Sequence, residues 1–211
     1  MARTGIATAA VACFVLGGLG LASAADASSS PSVAAQAPAG EVVVVPGTAE
    51  GVTARATAAV AAMSLSERAA SVIMGHISTT DPGVLRDYMS TTGVGGFILM
   101  GANIPGSEDQ LRGITAALTV DPAVPPLLGI DQEGGDVSRL PWDDFPSSIT
   151  LKNEPPEATE LAFAGRGALV QRAGISVNFG IVADITDDTS MFIYRRALGT
   201  TPESGASHVG A

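Results

Sequence analysis

The chain has 211 residues, 46% of them hydrophobic and 15% charged, and carries a formal net charge of -10. Lys152 is the only lysine, and no basic stripe exists to neutralise phosphates, which argues against nucleic-acid binding and against attraction to anionic membranes. Length allows one ordinary domain or a small pair.

The first 24 residues, "MARTGIATAAVACFVLGGLGLASA", read as a secretory signal peptide. Arg3 is a short positive region, an apolar run extends from Ile6 to about Leu21, and Ala22-Ser23-Ala24 is a small-residue cleavage site. The run is short for a membrane anchor and no stop-transfer charges follow, so no stable membrane span is expected. Export then places the protein outside the cell or in the cell envelope. Cys13, the only cysteine, lies within the apolar run, so cleavage leaves a mature chain with neither disulfide nor thiolate metal site. Residues 25–47, rich in Ala, Ser, Pro and Gly, read as a flexible linker.

Residues 48–211 read as the folded domain. "TAEGVTARATAAVAAM" is helical, and Ser64 with Glu67 has capping-box spacing for a second helix. Val72, Ile73 and Met74 are expected as a first buried strand. "PGVLRDYMSTTG" is a short helix with a stop at Gly93, "VGGFILMGAN" a second strand, "SEDQLRGITAALTV" a helix and "PPLLGID" a third strand. "PPEATELAFAGRGALVQRAG" is the clearest helix, starting on proline and stopping at Gly174, with Leu161, Ala164, Ala168 and Leu169 on one face. "ISVNFGIVADI" is a fourth strand.

Continuous apolar strands alternating with helices predict an α/β fold with a parallel sheet. Both an open doubly wound sheet and part of a (βα)8 barrel fit that pattern. The Rossmann fingerprint is missing after the first strand, where the text is "MGHISTTDPG". A closed barrel normally takes about 250 residues, so residues 48–211 can supply only about its first half.

The densest chemical text is "LLGIDQEGGDVSRL", Leu127 to Leu140. Reactive groups of parallel α/β folds sit at the carboxyl ends of strands, and Asp131 stands there directly after an apolar run. Gly134 and Gly135 permit a sharp turn, while Asp131 and Arg139 are suited to hydrogen-bond neighbouring sugar hydroxyls. An N-terminal cap and a surface ion pair are the alternative reading of the same two residues. Asp131 and Glu133 are too close in sequence to flank opposite faces of one glycosidic bond, so Glu133 is not read as a nucleophile.

Together with "MSLSERAASVIM", "GVGGFILMGAN" and "AGISVNFGIVADI", this segment resembles the N-terminal (βα)8 TIM-barrel domain of glycoside hydrolase family 3, in its β-N-acetylhexosaminidase branch. The resemblance runs from about Met63 to Ala211. It implies retaining hydrolysis of terminal β-linked N-acetylhexosamine, with no metal and no organic cofactor. It makes Asp131 and Arg139 substrate-binding residues. A further family arginine aligns with Arg196 in "IYRRALG", with Arg195 the lesser candidate.

Two departures stand out. Asp136 replaces a residue that is commonly basic in the family. The family's K-H-F-P-G-H-G segment, its histidine-bearing acid/base loop and its aspartate nucleophile fall after the fourth strand, and none of them is found up to Ala211. The expectation is a chain that carries sugar recognition and no catalytic residue, inactive alone. A non-catalytic carbohydrate-binding or envelope protein, and one half of a split enzyme that pairs with a complementary C-terminal half, are the rival readings. His76 is expected to be structural and His208 solvated. Asp184, Asp187 and Asp188 lack calcium-loop spacing and read as turn and cap residues.

Overall fold

A computed structural model describes residues 47–211. The signal peptide and nearly all of the linker expected from the sequence lie outside the described residues, as does Cys13. Helix α1, Ala49–Ala62, is capped by Thr48, whose hydroxyl accepts from the Gly51 N–H at 3.1 Å. Gly51 is its only buried residue, so alanine propensity and the cap hold it rather than burial. Helix α2, Leu65–Ser71, has the expected capping box: the Ser64 N–H donates to Glu67 Oε2 at 2.7 Å, and the Glu67 N–H donates to Ser64 Oγ at 3.3 Å.

Strand β1 is Met74–Gly75 and not Val72–Met74. Val72 caps α2 and is 84% exposed, and Ile73 folds back to donate to Ala70 O. Helix α2 therefore consumes the residues that apolarity alone assigned to the strand. Helix α3, Pro82–Thr92, begins on Asp81, whose Oδ1 accepts from Gly83 and Val84 N–H, and ends on Gly93 in the left-handed region at φ 62°. Strand β2 is Gly96–Leu99, helix α4 is Glu108–Leu118 and strand β3 is Leu127–Ile130.

After β3 come a short helix α5, Ser148–Leu151, the long helix α6, Pro156–Arg172, strand β4, Val177–Asn178, and helix α7, Pro202–Val209. The four strands form one parallel sheet in sequence order, β1-β2-β3-β4. Register places Leu99 beside Ile130 and Ile130 beside Asn178, so the carboxyl ends of β2, β3 and β4 share one rim. The fourth strand is much shorter than the apolar run predicted, because the chain leaves the sheet after Asn178. Beyond it the Phe179 N–H still donates to Ile130 O, and further on a parallel bridge joins Ile185 to Gly199.

One face of the sheet carries the main core. Phe97, Leu99, Leu128 and Ile130 pack with Leu85 and Met89 of α3, Leu111, Ile114 and Leu118 of α4, and Leu169 and Val170 of α6. Burial of these side chains contributes roughly 1.5–3 kcal/mol each, the main term opposing chain entropy. Alternate sheet positions are less covered: Leu127 is 58% and Phe179 51% exposed, with Phe179 and Met74 lying over Gly129.

The buried face of α6 departs from the apolar pattern. Leu161, Ala164 and Ala168 are exposed, and the buried residues are Thr159, Ala162, Arg166, Leu169 and Val170. An arginine at the centre of the buried face rotates the helix away from the orientation its alanines and leucines suggest. His208 is likewise buried rather than solvated: its Nδ1 lies 2.7 Å from Thr159 Oγ1, which docks α7 on α6. His76 is exposed and bonds the Ile98 carbonyl and Ser78 Oγ. No helix among the described residues is long and apolar enough to cross a membrane.

Candidate functional site

The rim after β3 is built from the backbone upward. The chain passes from Ile130 into Asp131, Gln132 and Glu133, then reverses at Gly134 and Gly135, which have φ of 79° and 112°. Those angles favour glycine, and space requires it as well: a Cβ on Gly134 would overlap the guanidinium of Arg166. The turn closes when the N–H groups of Glu133 and Gly134 donate to Val137 O, and residues 138–140 run back past Gln132.

Gln132 is fully buried and is the hub of this loop. Its Oε1 accepts from the Arg139 N–H at 2.7 Å and the Leu140 N–H at 2.9 Å. Its Nε2 donates to Ser138 Oγ at 2.8 Å and Asp143 Oδ2 at 2.5 Å. Its backbone is matched by Asn178 of β4, whose Oδ1 accepts from Gln132 N and whose Nδ2 donates to Gln132 O. Asp143 and Arg166 form an ion pair whose side chains are both fully buried, with Nε to Oδ2 at 2.7 Å. Arg166 Nη2 also donates to the Phe145 and Pro146 carbonyls, and its guanidinium lies over the Phe163 ring.

Four charged side chains stand above this hub. Arg139 Nη2 meets Asp131 Oδ2 at 3.0 Å, each side chain about one quarter exposed. Arg196, from the segment between β4 and α7, meets Glu133 in a bidentate pair, Nε to Oε2 at 2.9 Å and Nη2 to Oε1 at 2.6 Å. The Glu133 hydrogen bonds raise the Arg196 pKa further, against desolvation, and the charges of Glu133, Asp131 and Asp184 add to the effect. Arg196 therefore keeps its charge at any working pH.

The three residues expected to bind substrate are thus gathered at one rim: Asp131 and Arg139 in direct contact, and Arg196 within the field of Asp131. Arg195, the lesser candidate, turns the other way and pairs with Asp136, Nε to Oδ2 at 2.8 Å, at an exposed position. That contact lowers the Asp136 pKa and raises that of Arg195. The acid at position 136, read as a lost positive charge, has its charge balanced by this neighbour. Lys152 holds the same segment from below, donating to Tyr194 O and lying 4.0 Å from the centre of its ring.

Gln132, Asp143, Arg166 and Asn178 were not singled out by sequence reasoning. One signal was available for Arg166, an arginine between two glycines in an otherwise small and apolar helix. Asp188 acts as a turn residue, accepting from Ser190 N and Oγ. Among the described residues no group of three or more His, Cys, Asp or Glu is placed to hold a metal ion. A cleft of about 380 Å³ lies elsewhere, at the amino ends of β2 and β3 between Met63 and Pro126, and includes none of the four rim charges.

Comparison with known proteins places this rim in context. No protein-family model matches the chain. A β-hexosaminidase of Pseudomonas aeruginosa is 34% identical over 125 residues, covering 56% of this chain and 36% of the relative. A β-hexosaminidase of Xylella fastidiosa is 28% identical over 150 residues, covering 66% and 42%. Among solved structures, a glycoside hydrolase family 3 β-N-acetylglucosaminidase from Paenibacillus is 27% identical with a TM-score of 0.62, covering 70% of this chain and 30% of that one. A family 3 glycosyl hydrolase from Mycobacterium smegmatis, 24% identical, shares the fold with a TM-score of 0.60 over 71% of this chain and 46% of its own. The chain spans well under half the length of the curated relatives it matches. Over part of its length the chain is thus similar in sequence to β-hexosaminidases, and in fold to glycoside hydrolase family 3 enzymes.

Proposed function

We propose that this chain is the sugar-recognition part of an exported retaining glycosidase acting on terminal β-linked N-acetylhexosamine. The observation that carries the reading is the contact of Asp131 with Arg139 at the carboxyl end of β3, beside Arg196. An ionised carboxylate accepts from two adjacent hydroxyls while a guanidinium donates to others, a combination suited to a neutral polyol. The sequential order of the parallel strands, without a reversal, supports a sheet that is about the first half of a (βα)8 barrel.

Retaining hydrolysis needs a nucleophile and a proton donor on opposite sides of the bond. The rim offers neither. Glu133 is held by Arg196 and is 3% exposed, and Asp131 is engaged with Arg139, so both carboxylates serve structure and grip. In this reading the chemistry is supplied by residues outside the 211.

A second reading, one half of a split enzyme that docks a complementary half, is favoured by the uncovered sheet positions. Leu127, Phe179 and Ile181 are each at least half exposed beside the sheet.

The test is calorimetric titration of the purified chain with N-acetylglucosamine, alongside an assay with an aryl N-acetyl-β-glucosaminide. Saturable binding that is lost in Asp131→Ala, without turnover, is expected. Absence of binding, or specific turnover by the chain alone, refutes the reading.

A further inference from the structure

We propose that Arg166 is a positioning residue for Arg139, acting through Asp143 and Gln132, so that sugar recognition at the rim depends on a fully buried charge on helix α6. The inference deepens the proposed function and rests on it for its ligand, N-acetylhexosamine.

Three contacts form the path. Arg166 Nε donates to Asp143 Oδ2 at 2.7 Å, and the same oxygen accepts from Gln132 Nε2 at 2.5 Å. Gln132 Oε1, at the other end of that amide, accepts from the backbone N–H of Arg139 at 2.7 Å and of Leu140 at 2.9 Å. An amide side chain has one donor end and one acceptor end. The carboxylate of Asp143 accepts only, so it fixes which end of Gln132 faces it, and the carbonyl end is then aimed at Arg139. With the amide reversed, its NH₂ would face two backbone donors.

Arg166 in turn holds the Asp143 side chain in place. A carboxylate this deeply buried is stable only when paired, and Arg166 also ties the Phe145 and Pro146 carbonyls to α6. The glycine turn is shaped around the same guanidinium, because a side chain on Gly134 would occupy its position. The backbone from which Arg139 reaches Asp131 is thus set by a residue on another element, 27 positions later in the chain.

Removing Arg166 alone would strand a buried carboxylate and risk unfolding, so both charges are removed together in Arg166→Met with Asp143→Leu. Apolar replacement of a whole buried pair is often neutral for stability. In the full chain, amide hydrogen exchange of Arg139 and Leu140 and the Kd for N-acetylglucosamine are then measured. Exchange at these two amides is expected to quicken at least tenfold and Kd to weaken at least tenfold, while amides of β2 and β3 keep their protection.

Asp143→Asn is the second variant and keeps Arg166. Its amide keeps one acceptor and turns the other into a donor, so it cannot accept both from Gln132 and Arg166 at one end and from the Phe145 N–H at the other, and the same two readouts should move in the same direction, by several-fold. Unchanged exchange at Arg139 and Leu140, or unchanged Kd with faster exchange, overturns the proposal. Failure of the unaltered chain to bind the sugar sinks the functional reading instead, and exchange alone then reports whether Arg166 governs the loop.

Discussion

Glu133 and Arg196, 63 residues apart in the chain, meet through two charge-assisted hydrogen bonds of 2.9 and 2.6 Å at the rim of the sheet. This contact ties the segment before α7 to the loop after β3, and it gives Glu133 a structural role as the fixed partner of Arg196. The first consequence is for stability. Arg196→Met leaves the Glu133 carboxylate, 4% exposed, without its partner. A loss of about 2–3 kcal/mol is expected in urea denaturation, less than the roughly 3–5 kcal/mol of a fully buried pair, because Arg196 itself retains some contact with water.

Asp131→Asn should separate recognition from folding. The Asp131–Arg139 pair is partly open to solvent, and such pairs contribute about 0–1 kcal/mol. The variant is expected to keep its denaturation midpoint within that range while its affinity for N-acetylglucosamine falls at least tenfold by calorimetry. Equal affinity would remove Asp131 from the sugar site.

Two glycine substitutions make a matched pair. Gly134→Ala puts a side chain at φ 79°, which costs about 1–2 kcal/mol, and drives it into the Arg166 guanidinium, for a combined loss of roughly 3 kcal/mol. Gly113→Ala, on α4 with open space around it, should stabilise by about 0.5–1 kcal/mol through helix propensity. Thermal melts of both variants give the comparison.

Acid should weaken the fold. Glu67, hydrogen-bonded by Ser64, Glu108, paired with Arg172, and Asp136, paired with Arg195, all have pKa values held below the ordinary carboxylate range. A depressed folded pKa means the unfolded chain binds protons more readily as pH falls. The stability these groups contribute is complete above their unfolded values of about 4 and is lost as pH drops through the lower folded values. The melting temperature should therefore be level between about pH 5 and 7 and decline below about pH 4. Because these contacts are exposed, added salt should flatten the decline.

Much of the local architecture was legible in the chain. The Ser64–Glu67 box, the stop at Gly93 and the parallel α/β alternation are all written within a few neighbouring residues. Where the reading failed, a second local preference competed. Val72 and Ile73 look like strand by composition, yet α2 runs on through Ser71 and Val72 serves as its cap. His208 looked solvated in a tail of small residues, yet those residues form α7 and bury it against Thr159.

The sequence by itself determined where the strands and helices alternate, and it put Asp131 at a strand end, because periodicity, capping and turn chemistry act over three or four residues. Only the tertiary structure decided what each charge does. Glu133 finds Arg196 and Asp143 finds Arg166 because parallel crossovers return distant segments to one rim, and ion-pair energy depends on that spatial distance and on burial, neither of which is encoded by position along the chain.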